Sequence, residues 1–264
     1  MSDKMSRKEL KQPDAFQKAG GEAGAWVVAR QKMVAIGVVV VLALGFIAAV
    51  ISWVSSRGES TASKDLGAAL KVAGRPVDAA EKEKPATPAP GEEPAFKSEK
   101  EKDEAVAKSL ETFRAKHGSS RAAATAALPL AQASFRLGKY DDALKGYDEY
   151  LKAAALDDPL RATALEGQGY AHEAKGELDA AITAFDQLAR ENQTEFLNGM
   201  GLYHRARILI LQGKKDEAAK QLSEIPAAAP NSSAARLATD RMALLAAEGV
   251  KVPPPALPAK ADAG

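Results

Sequence analysis

The residues able to do chemistry are few and badly spaced for it. There are three histidines, His117, His172 and His204, and no cysteine. Neither His172 beside Glu173 nor His204 beside Arg205 has the spacing of a metal-ligand pair, so each reads as a partly exposed helical residue. Without cysteine there is no disulfide, thiolate nucleophile or Cys-based metal site. The triplet GMG at 199–201 lacks a phosphate-loop pattern and reads as a helix start, while GQG at 167–169 reads as close packing inside a helix. Asp141–Asp142 and Asp157–Asp158 read as helix-start or turn residues, and no Ser elbow occurs. The expectation is a chain with no catalytic residues, no cofactor-binding residues, no metal and no small-molecule substrate.

Composition points to helices that hold something else. Of 264 residues 36 are Lys or Arg and 35 Asp or Glu, a formal charge of +1 that gives no footprint for nucleic acid. Aromatics are 5% of the chain and alanine is abundant, which favours helix and close helix packing over sheet.

Along the chain, residues 1–32 form a polar tail of mixed charge. Met33–Val54 carries no charged residue. As a helix its 22 residues span ~33 Å, enough for a hydrocarbon core of about 30 Å, so it reads as an uncleaved transmembrane helix. Trp26 and Trp53 stand near its ends, where indoles prefer the interface. The flanking basic residues, Lys18, Arg30 and Lys32 against Arg57, Lys64 and Lys71, balance, so charge does not orient the span. Residues 55–97, rich in Pro, Glu, Lys and Ala, read as an extended spacer of about 40 residues, with a short helix near Lys64–Val72. Residues 98–248 form the folded domain, and 249–264 a Pro/Ala-rich disordered tail.

The folded domain repeats itself. GKYDDALKGY (138–147), GELDAAITAF (176–185) and GKKDEAAKQL (213–222) align, with turn glycines Gly138, Gly176 and Gly213 spaced 38 and 37 residues apart. The glycine ends one helix in the left-handed conformation. The acidic residues that follow favour the next helix start. Ala143, Ala181 and Ala218 allow the hairpin helices to approach. Tyr147, Phe185 and Leu222, four residues on, share their face and should plug the gap to the next unit. Ala131, Gly169 and Ala206 suit a tight crossing in the first helices. Pro129 falls inside the first helix of unit one. Helices over Glu99–Lys116 and Ala234–Ala247 should flank and cap the array. The fold class is all-α: a helical-hairpin array behind one N-terminal membrane helix.

This pattern resembles the tetratricopeptide repeat family over about 110 residues, best in the middle unit with Leu165, Gly169, Gly176, Leu178, Ala181 and Phe185. The resemblance implies a concave protein-binding groove lined by the first helices: Gln132, Phe135 and Arg136, then Glu166, Tyr170 and Glu173, then Tyr203, Arg207 and Ile210. Phe135, Tyr170 and Tyr203 are either anchors for a partner or rings filling space between helices. The layout of tail, span, spacer and repeats, with HGSSRAAATAALPLAQASFRLGKYDDAL, is also similar to the bacterial family that includes the ancillary subunit of the Sec translocon. That family shares its repeat type with a periplasmic coordinator of division-linked wall synthesis. It implies an inner-membrane protein with a cytoplasmic N-terminus and periplasmic repeats, a scaffold at the secretion channel that hands emerging chains to chaperones. Coordination of envelope synthesis or cell division, or tethered regulation of an envelope enzyme, are the alternatives.

Overall fold

The computed structural model describes residues 45–46, 57–78, 94–118, 120–191 and 194–256. The chain divides into two compact units, Met1–Gly58 and Glu59–Gly264. Apart from residues 45–46, which are helical, the stretch expected to cross the membrane lies outside the described residues, as do 1–32, 79–93 and 257–264. Among the described residues no helix is long and apolar enough to cross a membrane.

The second unit is all-helical. Helix α1 covers 57–70. It is followed by a 3-10 turn at Lys71–Gly74, α2 (Glu99–His117), α3 (Arg121–Arg136), α4 (Tyr140–Ala153) and α5 (Leu160–Ala174). Then come α6 (Leu178–Glu191), α7 (Glu195–Leu211), α8 (Lys215–Ala228) and α9 (Ser233–Ala247). Helix starts are written into the sequence. The hydroxyls of Ser98, Ser120, Thr194 and Ser232 accept from the backbone N–H three residues on, capping α2, α3, α7 and α9. Pro129 and Pro226 lie inside α3 and α8, which continue through them.

The three turn glycines have φ of 74°, 77° and 78°, the left-handed region where Gly carries no Cβ penalty. A fourth, Gly249, has φ 87°. At all four turns two backbone N–H groups cap the preceding helix, as when Gly138 donates to Phe135 and Lys139 to Ser134, and Gly249 to Ala246 and Val250 to Leu245. The array therefore continues into a fourth unit, whose first helix is α9. Among the described residues no second helix follows: the next six residues are VKVPPP, and three prolines have no N–H to give. Val250 and Val252 instead pack on the α7–α9 cluster, and Ala256 N–H donates to the Ser223 carbonyl at 2.7 Å. The expected tail is thus a strap at its start.

A second correction concerns the spacer. Ala62, Leu66 and Ala69, one stripe of α1, are buried against Val106, Ala107, Leu110 and Phe113 of α2 and Ala122, Ala123 and Ala126 of α3. Asp65 bonds Lys116 Nζ and His117 Nε2, both at 2.8 Å, and Lys116 first and then His117 hold its carboxyl below the usual range. Glu59 accepts from the Arg121 N–H at 3.0 Å. Beyond the 3-10 turn, Asp78 N–H donates to the Phe96 carbonyl at 2.9 Å and Phe96 N–H to the Pro76 carbonyl at 3.0 Å. Arg75 lies over the buried Phe96 ring. The folded unit begins near Glu59, not residue 98. Low overall hydropathy concealed a three-residue apolar stripe that needs only α2 and α3 to bury it.

Gly67, on the exposed side of α1, has nothing within 4 Å of where a Cβ would sit. Gly67→Ala is expected to stabilise the domain by about 0.5–1 kcal/mol in a denaturant melt, from reduced backbone freedom in the unfolded chain.

Candidate protein-binding groove

Successive first helices touch: α3 meets α5, α5 meets α7 and α7 meets α9. Among the described residues α4 and α6 do not meet, nor do α6 and α8. The first helices therefore form the closely packed inner row, and the second helices splay outward. The alanines and glycines explain the approach. A Cβ on Gly169 would enter the Phe185 ring, and one on Gly167 the Tyr147 ring of the preceding hairpin. Tyr147, Phe185 and Leu222 are buried, as are Ala143, Ala181 and Ala218.

All nine residues expected in the groove lie on the inner row, and eight are half-buried; Arg136 is exposed. They are not equivalent. On α5 and α7 they are brought together around a residue that sequence reasoning set aside. His204 is only 5% exposed, not a surface histidine. Its ring stacks on Phe185 with centroids 4.9 Å apart and meets Tyr170 edge-on at 5.3 Å and Tyr203 at 5.8 Å. Its Nε2 lies 3.2 Å from the Tyr170 hydroxyl and 3.3 Å from Glu166. Two turns along, Glu173 accepts from both terminal guanidinium nitrogens of Arg207, and Arg207 in turn lies over the Tyr170 ring. The Glu173 bond raises the Arg207 pKa further.

On α3 the residues part company. Arg136 turns to Asp103 of α2, with Nε 2.8 Å from a carboxylate that is 5% exposed. Phe135 packs on the α3–α5 cluster and meets Tyr140 at 5.6 Å. Gln132 is half-buried, and Ile210, at the far end of α7, packs toward α9. Tyr170 belongs mainly to the core, wedged edge-on against Phe185 at 5.6 Å, whereas Tyr203 stands at the margin of the last cluster. The signal for His204 was available: it falls three residues after Gly201, on the helix face that meets α6.

Helix starts also need correcting. Gly199 and Gly201 lie within α7 and are buried, so GMG is a crossing point, not a start. A Cβ on Gly201 would lie 2.7 Å from the Ala189 nitrogen.

Burial pushes the hydroxyls of Tyr147, Tyr150 and Tyr170 up to about 12. For Tyr150 the hydrogen bond to Asp158 adds to this, and for Tyr170 the charge of Glu166 does. In the unfolded chain a tyrosine ionises near about 10. Stability from these groups is therefore whole below pH ~10 and is lost as pH rises toward ~12. An absorbance titration at alkaline pH should show their ionisation only as the helices unfold.

Residues 128–196 match a tetratricopeptide repeat family model, and residues 201–232 match a second one. No curated protein matches the chain.

Proposed function

We propose that these tetratricopeptide repeats serve a membrane-anchored scaffold that binds proteins and does no chemistry of its own. The observation that carries this is the inner row of α3, α5 and α7, whose aromatic and charged side chains are ordered by contacts between successive hairpins. An inner face fixed in this way loses little side-chain entropy when a partner docks. In this reading the apolar stretch 33–54 is the anchor in a bacterial inner membrane, with the N-terminus cytoplasmic and the repeats periplasmic. The partner is the secretion channel and the chains emerging from it. The repeat matches support protein binding, while the anchor, its orientation and the channel partner rest on the layout of the sequence.

The test is crosslinking in native membranes with the full chain and with Gln132→Glu/Tyr203→Ala. Neither side chain answers a buried charge, so the fold should survive, with a melting shift of only a few degrees. Capture of channel subunits should fall about tenfold, equivalent to about 1.4 kcal/mol. If the wild-type chain captures no channel subunit, the partner assignment is wrong. If the variant captures as well as wild type, the inner face is not the binding surface.

A further inference from the structure

We infer that the inner face selects its partners through a lysine or arginine side chain that docks at Glu166, with the Tyr203 ring beside its alkyl stem. This rests on the reading of the inner row as the binding surface. Four of the nine groove residues carry a fixed charge: Arg136, Glu166, Glu173 and Arg207. Three of them are matched within the array. Arg136 pairs with the buried carboxylate of Asp103 at 2.7 Å, and Glu173 accepts from both terminal nitrogens of Arg207. Glu166 is the fourth. Among the described residues no lysine or arginine pairs with it, and its side chain is 39% exposed, against 22% for both Glu173 and Arg207.

The neighbour that Glu166 does have answers it poorly. Its carboxylate lies 3.3 Å from Nε2 of His204, and the same nitrogen lies 3.2 Å from the Tyr170 hydroxyl. In either tautomer of the neutral ring Glu166 therefore has at most a share of one N–H. The ring cannot turn to offer more, because it is stacked on Phe185 and its Nδ1 is buried without a partner. Around this carboxylate the wall is aromatic. Tyr170 and Tyr203 both meet His204 edge-on. Tyr170 already has Arg207 over its ring, while Tyr203 is half-buried at the margin of the last cluster. A lysine or arginine fits such a place on two counts. Its cationic tip donates to a half-dried carboxylate, where screening is weaker than in open water, and its stem packs on the tyrosine. An acidic side chain would meet like charge, and an apolar one would dry Glu166 without giving it a partner.

The test lets the protein choose. A display library of short random peptides is panned against the full chain and against its Glu166→Gln variant at pH ~8, above the usual histidine range near about 6.5. Glu166→Gln keeps the shape of the side chain and should melt within a few degrees of wild type. Wild type should enrich peptides with Lys or Arg at one position, and Glu166→Gln should lose that preference. A selected peptide should bind Glu166→Gln about tenfold more weakly than wild type. The same peptide with norleucine for its basic residue should bind both proteins equally, since the partner of the lost charge is already gone. Enriched peptides with no basic position, or a basic preference that survives in Glu166→Gln, overturn the inference and leave the groove reading intact. If no peptide is enriched, or if the enriched peptides bind Gln132→Glu/Tyr203→Ala as well as wild type, the inner face is not the binding surface, and the inference falls with it.

Discussion

Arg161→Ala is expected to lower the melting temperature by about 6–12 °C, the equivalent of about 3 kcal/mol in a domain of this size. The side chain is 8% exposed and closes the α4–α5 connection. Its Nε and one terminal nitrogen bond both Glu191 oxygens at 2.9–3.0 Å. The other terminal nitrogen donates to the Leu151 carbonyl at 2.7 Å and reaches Ala154 at 3.4 Å. One guanidinium thus satisfies the end of α4, the start of α5 and the end of α6. Removing it leaves the Glu191 carboxylate, itself 24% exposed, and the Leu151 carbonyl short of partners, and partly desolvated groups left unpaired cost more than the bonds themselves contribute. Arg161→Lys should recover less than half of the loss, since one ammonium cannot serve both the planar carboxylate and the carbonyls. Thermal melts by circular dichroism decide it; a shift under about 2 °C for the alanine variant would show that the connection is held by apolar packing alone.

Gly201→Ala should destabilise by about 3 kcal/mol, at the upper end for overpacking, although alanine is the better helix former. The added Cβ meets the Ala189 nitrogen at 2.7 Å, the Ala189 Cβ at 2.8 Å and the Phe185 carbonyl at 2.8 Å. Two of these three are backbone, so no rotamer change can relieve the contact; α6 and α7 must separate. Separation would also loosen the Phe185–His204 stack across the same crossing. Denaturant melts of Gly201→Ala beside Gly67→Ala give the contrast directly: one methyl group, opposite signs. If both variants gain stability, α6 and α7 tolerate a wider spacing than the array implies.

The repeat was legible because its determinants are local. Gly138, Gly176 and Gly213 announce left-handed caps, and Ala143, Ala181 and Ala218 announce close crossings at fixed offsets from them. Gly249 obeys the same rule at a distance of 36 residues from Gly213, but the prolines after it masked the unit it closes. The α1 stripe was hidden for a different reason. Three apolar residues in a polar helix carry little periodic signal, and their meaning depends on α2 and α3, which are distant in sequence. The inner-face residues came from the resemblance to the tetratricopeptide family, and they fall on α3, α5 and α7. Which of them pair, and that His204 sits buried among them, depends on contacts between consecutive hairpins 34 residues apart, as between Tyr170 and His204. Arg161 and Glu191 escaped notice because charged residues near helix ends ordinarily read as solvated.

The strap that follows Gly249 also decides what the molecule cannot become. A solenoid that ends on a bare helical face offers the surface that the next hairpin would have covered, and a second copy can supply that hairpin head-to-tail. Such a contact does not close on itself and leads to open filaments. Here Val250 and Val252 pack on the last cluster, and the three prolines that follow cannot donate backbone hydrogen bonds onward. Among the described residues the strap stands where the next helix would begin, so a second copy adding head-to-tail would have to displace it.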